Sequence, residues 1–177
     1  MSNLRVSGIT ARTGSGIISI PAGNTLSQSG LVVQTVYKTY NNETILTTNQ
    51  VYVAATNGDL SITPKLSNSR FLIMVVGQGY YTSAGGCNMG LQRTISGVTT
   101  RLIGVDGAAG DTWMGSGNGA GTNSWNIKRE IIDTPNVAAG TVIQYTAMIG
   151  RWTSGTIYLN YAGYTGGSTI TIMEIAP

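Results

Sequence analysis

The chain has 177 residues, enough for one sizeable domain with a short appendage and too few for two full domains. Only 10% of the residues are charged while 41% are hydrophobic, and the net charge is +3; that balance argues against disorder. The basic residues are scattered, with Lys128-Arg129 the one adjacent pair, so the charge gives no footprint for a nucleic-acid partner. Histidine is absent and Cys87 is the sole cysteine, which removes the commonest general base, the commonest metal ligand, a disulfide framework and any multi-cysteine zinc site. No cofactor and no metal are expected.

Residues 1–30 carry short Val and Ile pieces broken by Gly, Ser and Pro, too sparse to build a core. They read as an irregular N-terminal attachment arm, either disordered or ordered only against neighbours. "MSNLRVSG" lacks the basic and apolar regions of a secretory signal, and the longest apolar run, "FLIMVV" at 71–76, is too short to span a membrane. The expectation is a soluble protein made in the cytoplasm, with no membrane insertion.

From residue 31 onward strand signals dominate. "LVVQTVYKTY" (31–40), "NQVYVAAT" (49–56) and "TVIQYTAMIG" (141–150) are rich in β-branched and aromatic residues. "SRFLIMVVGQG" (69–79) is a continuous apolar run of strand length, expected to be buried on both faces. "LQRTISGVTTRLIG" (91–104) reads as a hairpin turning at Ser96-Gly97. "SGTIYLNYAGY" (154–164) places Ile157, Leu159 and Tyr161 on one face and Tyr158 and Asn160 on the other. Turn pairs punctuate these runs at Asn57-Gly58, Thr63-Pro64, Asp106-Gly107, Thr134-Pro135 and Gly166-Gly167. No stretch keeps a helical period, so the prediction is an all-β, antiparallel jelly-roll sandwich of about eight to ten strands over residues 31–177.

The long segment 105–125 holds Asp106, Asp111 and a dense glycine run bracketed by Trp113 and Trp125, with Asn118 and Asn123 between the two tryptophans. Two carboxylates at hydrolytic separation would make a glycosidase pair, yet Asp106-Gly107 has turn chemistry, and two loop acids fix no geometry. Aromatic walls with a few placed amides suit a sugar; anchoring of the loop by its tryptophans is the competing reading. Trp113, Asn118 and Asn123, together with Tyr80-Tyr81 beyond the apolar strand, are therefore the candidate receptor-binding residues. Cys87, in "AGGCNMG", reads as a small buried apolar residue.

The segments "GDLSITPKLSNSRFLIMVV" (58–76), "MGLQRTISG" (89–97) and "GGSTITIMEIAP" (166–177), in that order, resemble the terminal domain of tailed-bacteriophage fibre proteins. The opening "LRVSGITARTGSGIISIPAG" is similar to the short leader of such domains. The resemblance implies a C1q/TNF-like jelly-roll knob, a homotrimer on the virion, with the arm docking to other virion proteins and the knob meeting a host-surface glycan or protein. It transfers no catalytic residues, and a non-enzymatic role is expected. Alternatives are a capsid or tail decoration protein without receptor binding, and a glycan depolymerase. In a trimer the terminal strand would present Ile170 and Ile172 to a neighbour. Glu174, on the same face, would face solvent or need a partner such as Arg93 or Arg151.

Overall fold

A computed structural model describes residues 29–48, 51–82, 86–104, 123–151, 155–161 and 167–177. Among these residues there are ten strands and no helix. They are β1 (Val32–Tyr40), β2 (Thr44–Leu46), β3 (Val51–Ile62), β4 (Arg70–Tyr81), β5 (Cys87–Ile95), β6 (Val98–Ile103), β7 (Asn123–Asp133), β8 (Ile143–Arg151), β9 (Ile157–Leu159) and β10 (Ser168–Ile175). All described pairings are antiparallel.

One sheet runs β3-β8-β5-β6. In the other, β4 carries β7 along one edge, and along its opposite edge β10 and then β9, which in turn pair with β1 and β2. The long strands thus lie in the orders β1-β10-β4-β7 and β3-β8-β5-β6. Successive strands repeatedly cross from one sheet to the other, as in a jelly roll. The protein is a jelly-roll β-sandwich, as the strand count and turn spacing predict.

The core lies between the sheets. Phe71, Ile73 and Val75 from β4 and Ile170 and Ile172 from β10 meet Met89 and Leu91 from β5 and Ile143, Tyr145 and Ile149 from β8, all buried. The apolar run of β4 is buried on one face only. Its odd residues face the core, while Leu72, Met74 and Val76 stay half-buried on the outer face, because a two-layer sandwich covers one side of each sheet.

The predicted turn at Ser96-Gly97 joins β5 to β6, with φ of 48° and 81°. Positive φ at both central residues is the hairpin geometry whose twist matches its strands, and glycine adopts it without a Cβ penalty. Asn57-Gly58 turns out differently. The strand does not stop there: β3 continues to Ile62, with a break in register against β8 between Ala54 and Asp59 and φ of 58° at Asn57. The left-handed residue marks an irregularity within a continuing strand. Thr63-Pro64 and Thr134-Pro135 do follow strand ends. Asp106-Gly107, Gly166 and the arm up to residue 28 lie outside the described residues.

Candidate functional site

At one end of β4 the outer face of its sheet is aromatic. Tyr80 stands opposite Tyr158 of β9 in register and opposite Ser124 of β7. The Tyr80 and Tyr158 rings are 5.9 Å apart at 54°, and Tyr161 stacks on Tyr80 at 5.0 Å and 20° while meeting Tyr158 edge-on at 5.4 Å. Such offset and edge contacts hold rings in fixed mutual positions. The cluster exists because the chain leaves strand conformation after Leu159. Asn160 has φ of 55°, so the alternation fails there and Tyr161 reaches the outer tyrosines instead of joining Ile157 and Leu159 in the core. The predicted placement of Tyr161 with those two residues is corrected on this point, as is that of Asn160, which is buried.

Asn160 fixes this corner. Its Nδ2 donates to the Tyr40 and Asn42 carbonyls at 3.1 and 3.2 Å. Its Oδ1 accepts from the Ser168 backbone N–H at 3.1 Å and the Ser168 hydroxyl at 2.6 Å. Its own backbone N–H bonds the Gln78 carbonyl at 2.9 Å, and the Gln78 N–H bonds the Ser168 Oγ at 3.2 Å. One amide therefore ties together the β1–β2 corner, the end of β9 and the start of β10, while a fourth strand, β4, is held through Gln78.

Beside the cluster a pocket is lined by Gln78, Gly79, Ser124, Trp125, Asn160 and Tyr161. Trp125 is 8% exposed and its indole packs over Gly79, where a Cβ would collide with the ring and with the Tyr158 carbonyl. The Trp125 Nε1 and the Gln78 Nε2 are both buried without a hydrogen-bond partner. They lie on opposite sides of the sheet, Trp125 on its core face opposite Gly79 and Gln78 on its outer face.

Of the sequence-derived recognition residues, Tyr80 lies in the cluster, whereas Tyr81 is 5% exposed and faces the core. Tyr81 thus offers no ring to a receptor, since neighbouring strand residues point to opposite faces. Asn123 opens β7; its side chain, and all of Trp113, Asn118, Asp106 and Asp111, lie outside the described residues. Gln78, Tyr158 and Tyr161 carry no joint signal in the sequence. Only the Tyr80–Tyr158 register unites "GYY" with "IYLNY", and that pairing spans more than seventy residues.

The three residues expected at a subunit interface are placed otherwise. Ile170, Ile172 and Glu174 each have 0% exposure within one subunit, so their side chains have no surface to offer a neighbour. Glu174 neither faces solvent nor pairs with an arginine. Its Oε1 accepts from the Ser69 hydroxyl at 2.7 Å and from the Lys65 and Leu66 backbone N–H groups at 2.9 and 3.0 Å. Its Oε2 accepts from the Gln34 Nε2 at 2.7 Å and from the Lys65 N–H at 3.0 Å. Burial alone would raise the carboxyl pKa, but the four donors together outweigh it and hold it below the usual carboxylate value. Arg93 instead binds Asp133 at 2.6 Å, and Tyr145 donates to the other Asp133 oxygen at 2.7 Å, linking the two sheets. Cys87 is fully buried with its thiol pushed up to about 12 by desolvation, as befits a core residue.

No family model matches the sequence, and no curated protein is significantly similar to it. Among solved structures the chain is similar to the infectious bursal disease virus VP2 subviral particle, at 12% identity and a TM-score of 0.41 over 91% of this chain and 46% of that one. It is also similar to Eiger TNF from S. frugiperda, at 10% identity and a TM-score of 0.32 over 71% of this chain and 90% of that one. The chain spans less than half the length of the VP2 chain it matches. Strand order and register define the jelly roll independently of these likenesses. Among the described residues no helix is long and apolar enough to cross a membrane.

Proposed function

We propose that the chain is a virion structural protein, a jelly-roll knob that assembles with two further copies of itself and serves attachment to a host surface. The reading is carried by the outer face of the β1-β10-β4-β7 sheet. Its rows are Thr35, Met173, Leu72 and Ile132, then Tyr37, Thr171, Met74 and Glu130, then Thr39, Thr169, Val76 and Lys128. The charged residues in these rows, Glu130 and Lys128, lie on β7 and pair with each other at 3.0 Å. Tyr37 is 75% exposed and Ile132 57% exposed. A broad face of Thr, Met, Ile, Leu and Val with no charge at its centre has the composition of a homomeric interface, where charged side chains are depleted.

The interface thus moves from the core side of β10 to its outer side, where Thr169, Thr171, Met173 and Ile175 are half-buried in one subunit. Trimeric stoichiometry and a place on the virion follow from the resemblance of the "LSITP", "LQR" and "MEI" segments to phage fibre domains. Three weak sites on one knob raise the effective concentration at a cell surface, which suits attachment. Native mass measurement at micromolar concentration tests the assembly: a trimer is expected, and a clean monomer would remove the knob reading. Electron microscopy of intact particles tests the role, because a position on the capsid shell would make the protein a decoration protein instead.

A further inference from the structure

We infer that Tyr37 is the anchor by which each copy of the chain holds the next: its ring, on the border strand β1, packs on Thr171 and Met74 of the neighbouring copy. The inference rests on the self-assembly reading above and names the contact that makes it. The two outer faces of the sandwich differ in kind. On the β3-β8-β5-β6 sheet the outer rows are Asp59, Thr146, Gln92 and Arg101, then Ser61, Gln144, Thr94 and Thr99, all polar side chains. On the other sheet the exposed apolar side chains Val32, Tyr37, Ile45 and Ile132 all belong to the outer face. One face suits water. The other suits a partner whose own surface is apolar and uncharged, and a second copy of this face meets that condition.

The face is also large enough. Its strands β1, β10, β4 and β7 have 9, 8, 12 and 11 residues. At ~3.3 Å per residue and ~4.8 Å between strands, their projected area is roughly 600 Å². A stable interface takes about 800 Å² of accessible surface from each partner, so most of the face is used in such a contact.

Tyr37 stands out within it. The ring is 75% exposed, more than Ile132 at 57%, and it opens the middle row of Tyr37, Thr171, Met74 and Glu130. Thr171 and Met74 in that row are half-buried. A small side chain beside a flexible thioether receives an aromatic ring well, and sulfur–aromatic contact is favourable. Tyrosine is enriched among the few residues that dominate binding energy. A closed ring of three copies uses heterologous contacts, in which one patch meets a different patch on the next copy. Tyr37 lies at one side of the face, so away from the axis it bears on its neighbour's middle strands and not on its own counterpart. A ring laid over Met74 brings its hydroxyl beside Glu130, whose carboxylate, already held by Lys128 at 3.0 Å, accepts a further hydrogen bond.

The test has two arms on the full-length protein. Native mass measured against protein concentration should show the Tyr37→Ala trimer dissociating at a concentration on the order of tenfold higher than wild type, or more, with an unchanged far-UV circular dichroism spectrum because the side chain is exposed. Tyr37→Phe should keep most of the affinity. In the second arm, p-benzoylphenylalanine at position 37 preserves the ring and is photolysed. Covalent dimers and trimers are expected, with the adduct in peptides containing Thr171 or Met74. Adducts at residue 37 of another copy, adducts elsewhere on the chain, or uncrosslinked monomer alone would overturn the inference, as would a Tyr37→Ala trimer as tight as wild type. A wild-type trimer with either of these results removes only the anchor. A wild-type monomer removes the knob reading and the anchor together.

Discussion

The hydroxyl of Ser69 donates to Oε1 of Glu174 at 2.7 Å, across 105 residues of chain and inside a site from which water is excluded. The contact joins the loop between β3 and β4 to the strand beside it. It brings together "LSITPKLSNS" and "TIMEI", two of the segments that carry the resemblance to phage fibre domains. A carboxylate without a cation is stable here because each oxygen accepts more than one hydrogen bond, and charge-assisted bonds are about twice as strong as neutral ones.

Replacing Glu174 should therefore cost more than its apolar neighbours suggest. Glu174→Ala leaves the Lys65 and Leu66 N–H groups without an acceptor and removes one bond each from the Ser69 hydroxyl and the Gln34 amide, which keep the Leu66 and Thr63 carbonyls; a loss on the order of 3 kcal/mol is expected in urea unfolding. Glu174→Gln should cost about 1–3 kcal/mol. Its new NH₂ must face a donor, and Gln34 cannot turn its oxygen inward without losing the bond from its Nε2 to the Thr63 carbonyl.

The same carboxylate sets an acid limit. Its folded pKa lies below the ordinary value of 4.5, so its contribution is fully present above that value. The contribution is lost as pH falls below 4.5 towards the folded pKa, where the native carboxylate takes up its proton. Thermal melts from pH 7 to pH 3 should show a steeper fall in Tm for the wild type than for Glu174→Gln, the two curves converging in acid. Parallel curves would mean that other carboxylates govern the acid response.

Tyr145→Phe should destabilise the sandwich by about 1–3 kcal/mol while leaving its packing intact. The ring stays in contact with Phe71 at 6.3 Å between centroids, but Asp133 Oδ2 loses its donor in a buried setting. Chemical denaturation reads this directly, and an effect below a few tenths of a kcal/mol would show that solvent reaches Asp133.

Met74→Arg should yield a soluble monomer. Met74 sits mid-strand on the outer face, opposite Thr171 on one side and Glu130 on the other. A single subunit can accommodate the arginine beside Glu130, whereas an apolar interface between copies cannot bury it unpaired. Native mass should drop to a third of the wild-type value. A trimer that persists would place the interface on another surface.

Ser96→Asn should stabilise the β5–β6 hairpin by a few tenths of a kcal/mol up to about 1 kcal/mol, because Asn tolerates the left-handed conformation better than Ser does. Ser96 has φ of 48° and is exposed, so no packing opposes the change. A small rise in Tm is the expected readout.

Several features were decided by the sequence alone. Strand identity from residue 31, the all-β class, the hairpin at Ser96-Gly97 and the inward placement of Cys87 all follow from local chemistry, because β-branched runs, turn pairs and residue size act over a few neighbours. That Ile170, Ile172 and Glu174 share one face is legible too, since alternation in a strand is local. What that face meets is not. Pairing of β10 between β1 and β4 turns it towards the subunit's own core, and the loop at Lys65 and Leu66 supplies Glu174 with donors from backbone N–H groups that no side-chain pattern marks. Likewise Tyr80, Tyr158 and Tyr161 become one surface only because β9 pairs with the end of β4 and Asn160 breaks the alternation beside it. Non-local register and a single left-handed residue decided the site, and neither has a signature in a window of neighbouring residues.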